Sequence, residues 1–131
     1  MIKSQKGFTL IELVVIIVLL GILGVTAMGK YQDLSTDAQD AVNEGVASEM
    51  SSAAAINYAA SVVGTADQAI TNGNDCGTLT GLFQNGAVPT GISITGTTVC
   101  TAAGDTTTCA VVGSGTPTGA SFNSTVICTG I

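Results

Sequence analysis

The chain has 131 residues, with nine carboxylates set against three lysines and neither arginine nor histidine, for a formal charge of −6. That length holds one small domain, and no direct nucleic-acid binding is expected because phosphate contacts need clustered Lys or Arg. The lack of histidine removes the commonest general base and metal ligand, which argues against an enzyme.

Residues 1–7 form a short polar leader, MIKSQKG, carrying Lys3 and Lys6. From Phe8 to Met28 the run FTLIELVVIIVLLGILGVTAM contains one ionisable group, Glu12. As a helix it would extend about 31 Å, the thickness of a bilayer core, so residues 8–28 are predicted to span a membrane. Two lysines before the span place its N-terminal side in the cytoplasm. A carboxylate inside such a span costs on the order of 3 kcal/mol, which calls for a partner or a function at Glu12; snorkelling to the interface is the alternative.

Past Gly29 the helical periodicity continues. Tyr31, Leu34, Ala38, Ala41, Val42, Val46, Ala53, Ile56, Ala60 and Val63 share one broad sector, while Asp33, Asp37, Asp40 and Glu44 share another. Glu49 falls inside the apolar sector. One helix is therefore expected over residues 8–63, its second half covered along the apolar sector by the rest of the chain.

From Gly64 onward Gly, Thr and Ser dominate, and residues 64–131 are predicted to form a β-rich head. Strand-like runs lie at Ile92 to Cys100, Thr107 to Val112 and Ala120 to Cys128, separated by glycine turns, and imply an antiparallel sheet of three or four strands. Leu79 to Gln84 suits a short helix or turn. Asn123-Ser124-Thr125 matches a glycosylation pattern but reads as strand. The loop Asn72 to Asp75 lacks the repeated acidic ligands of a calcium loop, so no metal or cofactor is expected. The fold class is α+β: a long N-terminal helix on a small antiparallel sheet.

Cys76, Cys100, Cys109 and Cys128 all fall in this head, at spacings that offer no C-x₂-C metal pair. They are expected to form two disulfides in an oxidising compartment, outside the cytoplasm. Cys109 and Cys128 occupy corresponding places in two strand-like runs, which favours Cys76 with Cys100 and Cys109 with Cys128. Cys100 with Cys109 across a hairpin, leaving Cys76 with Cys128, is the competing arrangement.

The run Lys6-Gly7-Phe8-Thr9-Leu10-Ile11-Glu12-Leu13 resembles the processing signature of type IV prepilins and of type II secretion pseudopilins. The resemblance covers residues 1 to about 35. It implies cleavage by prepilin peptidase between Gly7 and Phe8, methylation of the new Phe8 amino group, and pairing of that group with Glu12 during assembly. It further implies an inner-membrane precursor, export by a pilus assembly machinery, and a helical homopolymer outside the cell serving adhesion, motility or DNA uptake. A pseudopilin working in protein export is the alternative. Gly21, Gly24 and Gly29 mark where the helix can unwind inside a filament, although family members often carry proline where this chain has Gly29; close helix approach in the membrane is the other use of these small residues.

Overall fold

In a computed structural model of the chain, residues 7–66 and 68–131 are described. The expected leader, Gly7 apart, lies outside them. The chain divides into two compact units, Met1–Ser35 and Thr36–Ile131, and one helix, α1 (Leu10–Val62), runs through both.

In the first unit, α1 is continuous through Gly21, Gly24 and Gly29, and none of these glycines has a neighbour within 4 Å of where a Cβ would stand. The apolar side chains are exposed on every face, from Leu10 at 81% to Met28 at 71%. The stretch is long and apolar enough to cross a membrane.

The second unit holds the rest of α1 and an antiparallel sheet of order β1 (Ile92–Thr95), β2 (Thr106–Gly113), β3 (Phe122–Ile127). The helix stops where Gly64 takes φ +78°, letting the Thr65 N–H reach back to the Ala60 carbonyl at 2.9 Å and close the last turn. Two short 3₁₀ helices, Cys76–Thr78 and Thr80–Leu82, lie between helix and sheet. Ile94 opposes Val111 in the β1–β2 ladder, and Cys109 opposes Ser124 in the β2–β3 ladder. Met50 and Ala54 of α1 are buried with Ile70, Leu79, Val111 and Val126 in one core. The architecture is the predicted one, a long helix with a small antiparallel sheet.

Two details depart from expectation. The buried face of α1 is Asn43, Val46, Ala47, Met50, Ala54 and Asn57, whereas Tyr31, Leu34, Ala38, Ala41, Val42, Ile56 and Val63 of the expected sector are exposed. The reason is that two polar residues lie on the covered face with their hydrogen bonds made. Asn43 Nδ2 donates to the Thr118 and Ala120 carbonyls at 3.0 and 2.8 Å, and Asn57 holds the backbone of Gln68. The covered face is therefore rotated away from the apolar sector and shares only its edge, where Val46 is buried and Ala53 packs against the core.

The second departure is the disulfide pattern, which is Cys76–Cys109 and Cys100–Cys128, neither of the expected arrangements. Cys109 sits opposite Ser124, four residues short of Cys128, which at strand rise is roughly 13 Å along the ladder and too far to bridge. The first strand is also shorter than its sequence run. At Gly96 the backbone takes φ +119° and leaves the β1–β2 ladder, and the next residues bond instead to the loop before the first 3₁₀ helix, with the Thr98 N–H donating to the Asn74 carbonyl and the Gly73 N–H to the Thr98 carbonyl, both at 2.9 Å. That turn carries Cys100 away from Cys109 and toward Cys128. It also brings Cys76 in over Gly96, where a Cβ would stand 3.4 Å from the Cys76 sulfur.

Candidate functional site

The start of α1 is built by Thr9 and Glu12. The Thr9 hydroxyl accepts the Glu12 N–H at 3.4 Å, while Glu12 Oε2 accepts the Thr9 N–H at 2.9 Å and the Thr9 hydroxyl at 2.7 Å. This reciprocal arrangement is a capping box, and it satisfies N–H groups that an α-helix leaves open at its N-terminus. Helix begins at Leu10, not at Phe8, because Thr9 is the cap. In the sequence, Glu12 stands out as an intramembrane carboxylate and as part of the processing signature that the run Lys6 to Leu13 resembles. The pattern Thr9-x-x-Glu12 was equally visible and marks the helix start.

Around this box Phe8, Ile11, Val15 and Ile16 form an open apolar surface with Glu12. Phe8 is 82% exposed and Gly7 is open on all sides, so the Gly7–Phe8 bond is accessible along the chain. The geometry offers a carboxylate whose one oxygen is engaged by Thr9, set in an apolar surface beside the residue that cleavage after Gly7 would make N-terminal. An ammonium brought to that surface would meet a negative charge flanked by apolar side chains.

In the second unit the exposed apolar sector of α1 carries Val42 and Ile56, with Glu49 between them. Glu49 also lines an open groove of about 430 Å³ with Phe83, Val88 and Pro89. Elsewhere in this unit the polar oxygens are used to hold turns. Asn72 Oδ1 accepts the Cys100 N–H at 3.2 Å, Asn74 Oδ1 accepts the Thr71 N–H and hydroxyl at 3.2 and 2.6 Å, and Asp75 Oδ1 accepts the Gly77 N–H at 2.8 Å. Asp105 accepts from the Thr101 hydroxyl and from the Thr101 and Ala102 N–H groups, and these bonds hold its carboxyl below the usual aspartate value of 3.8. Asn123-Ser124-Thr125 lies within β3.

Residues 2–28 match the family model described as "Prokaryotic N-terminal methylation motif". Over 104 residues the chain is 36% identical to the type IV narrow pilus major component PilA5 of Thermus thermophilus, covering 79% of this chain and 84% of that protein. It is 39% identical over 66 residues to fimbrial proteins of Pseudomonas aeruginosa, covering 49% of this chain but only 43% of theirs. The chain thus spans less than half the length of those fimbrial proteins. No solved structure matches it.

Proposed function

The chain belongs to the type IV pilin family, and from that premise we propose that it is the structural subunit, and the major one, of an extracellular type IV pilus. Prepilin peptidase cuts between Gly7 and Phe8 and methylates Phe8, and the inner-membrane assembly machinery lifts the subunit from the bilayer into the filament. The observation that carries this reading is the first unit of α1: an apolar helix exposed on every face, with one carboxylate at its start. Such a surface needs a bilayer or other copies of itself to cover it.

Cleavage removes Lys3 and Lys6 and leaves nine carboxylates against Lys30 among the side chains, a charge of −8. It also creates an ammonium on Phe8. That charge and Glu12 of a neighbouring copy are complementary, and in a filament core each supplies what the other would cost if buried alone. Unwinding near Gly21, Gly24 and Gly29 lets the helices follow one another within the polymer. Relatives named as pilus and fimbrial components favour a surface pilin over a secretion pseudopilin.

Mass spectrometry of surface-sheared material tests the proposal. The expected species begins at methylated Phe8 and has both disulfides formed; a surface fraction lacking the protein, or a chain retaining its leader, overturns it.

A further inference from the structure

Among the described carboxylates, two stand in apolar surroundings. Glu12 is one; Glu49 is the other, placed between Val42 and Ile56 on the exposed sector of α1 and beside Phe83 and Val88. Asp33, Asp37, Asp40 and Glu44 occupy the polar sector, and Asp75 and Asp105 hold their own turns. Glu49 has no hydrogen-bond or ion-pair partner among the described residues. If this sector is covered by another protein surface, Glu49 must meet a cation or be buried uncompensated, which is strongly unfavourable.

The cation inventory is equally short. Once the leader is removed, the positive charges of the chain are the Phe8 ammonium and Lys30. Lys30 is exposed, lies on an apolar surface formed by Ala27, Tyr31 and Leu34, and likewise has no partner among the described residues. One patch is therefore apolar with a single cation and the other apolar with a single anion.

We propose that, in the filament, Lys30 of one copy seats its ammonium against Glu49 of a neighbouring copy. The inference rests on the filament reading and adds a second inter-subunit ion pair to the one at Glu12. Lys30 reaches in with its aliphatic stem along the Phe83 and Val88 surface and its charged end at the carboxylate. Because the two patches differ, the contact is heterologous, the kind of contact from which an open helical polymer is built when its rotation does not close into a ring. A second copy is the occupant because the charge pattern of this chain supplies both halves of the pair.

Charge exchange in the full chain, expressed in its host, tests this. Lys30→Glu and Glu49→Lys should each lower the yield of sheared filaments at least about tenfold, since like charges then face each other. The double variant should return the yield to within about threefold of wild type, the behaviour of a coupled pair. A membrane immunoblot under non-reducing conditions checks that each variant accumulates as a disulfide-bonded subunit, and Glu49→Gln, which keeps the size of an exposed side chain, should lower the yield less than Glu49→Lys. Single variants that assemble at wild-type level overturn the pair, as does a double variant no better than the singles. Absence of filaments from the wild type would instead overturn the filament reading.

Discussion

Asn57 and Gln68 are joined twice: Asn57 Nδ2 donates to the Gln68 carbonyl at 2.7 Å, and Asn57 Oδ1 accepts the Gln68 N–H at 3.0 Å. The side-chain amide thus stands in for a strand, pairing both backbone groups of a residue eleven positions on, where the chain returns from the end of α1 toward Ile70. Asn57 itself is 6% exposed, so water cannot readily replace what it provides. Asn57→Ala should destabilise the head by about 1–3 kcal/mol, the cost of leaving buried polar groups unpaired. Thermal unfolding of the detergent-solubilised subunit would measure it. Asn57→Leu should be no better, because added apolar area does not replace the two bonds.

Non-reducing peptide mapping should return Cys76 linked to Cys109 and Cys100 linked to Cys128. Their sequence separations of 33 and 28 residues make the two loops similar. Replacing either pair with alanine should cost about 3–4 kcal/mol in the chain-entropy account. A map that instead links Cys100 to Cys109 would require β1 to continue through Gly96 as a regular hairpin strand.

Much of the fold was readable, and the unreadable parts have physical causes. β2 alternates in burial from Thr107 to Gly113, so its Thr and Val pattern was a sufficient signal. The membrane-length run needed only hydropathy. The cysteine pairing was hidden because it depends on strand register and on one backbone turn at Gly96, neither of which residue spacing reports. The buried face of α1 was hidden for a different reason. Periodicity finds the apolar face, but here Asn43 and Asn57 sit on the covered side and Val42 and Ile56 on the open one. An apolar sector that the head leaves uncovered is what a subunit needs if that sector is to meet other copies. At the N-terminus the capping box is legible in Thr9-x-x-Glu12, although it lies inside an apolar run whose hydropathy is the stronger signal.

Asp105 should make stability fall in acid. Its carboxylate accepts bonds from the Thr101 hydroxyl and the Thr101 and Ala102 N–H groups, which favour the ionised form and depress its folded value. Stability from this group is therefore fully present above the ordinary aspartate value of 3.8 and is lost as pH falls through the depressed folded value. Asp105→Asn should be less stable than wild type at neutral pH, with the difference shrinking as the pH drops below about 4. Denaturation midpoints across pH 2–7 for both proteins would show it, and a gap that widens in acid would contradict the assignment.

Glu12 has two separable duties, and two substitutions can tell them apart. It closes the capping box with Thr9, and we propose that it also meets the Phe8 ammonium of a neighbouring copy. Glu12→Gln keeps an oxygen able to accept from Thr9, so the helix start should survive while the charge is lost; Thr9→Val keeps the charge but removes the hydroxyl that accepts the Glu12 N–H. Glu12→Ala removes both functions. None of the three should hinder membrane insertion, which depends on the whole apolar run and should be eased by up to about 3 kcal/mol when the carboxylate is removed. Cleavage after Gly7 and head folding should also proceed, leaving Glu12→Gln and Glu12→Ala as processed subunits held in the membrane with few surface filaments. Thr9→Val should cost the helix start about 1 kcal/mol and still assemble. Electron microscopy of sheared fractions beside a membrane immunoblot reads both quantities. Abundant filaments in Glu12→Gln would assign the residue to capping alone, because the neutral side chain can hold Thr9 but offers a buried ammonium no counter-charge.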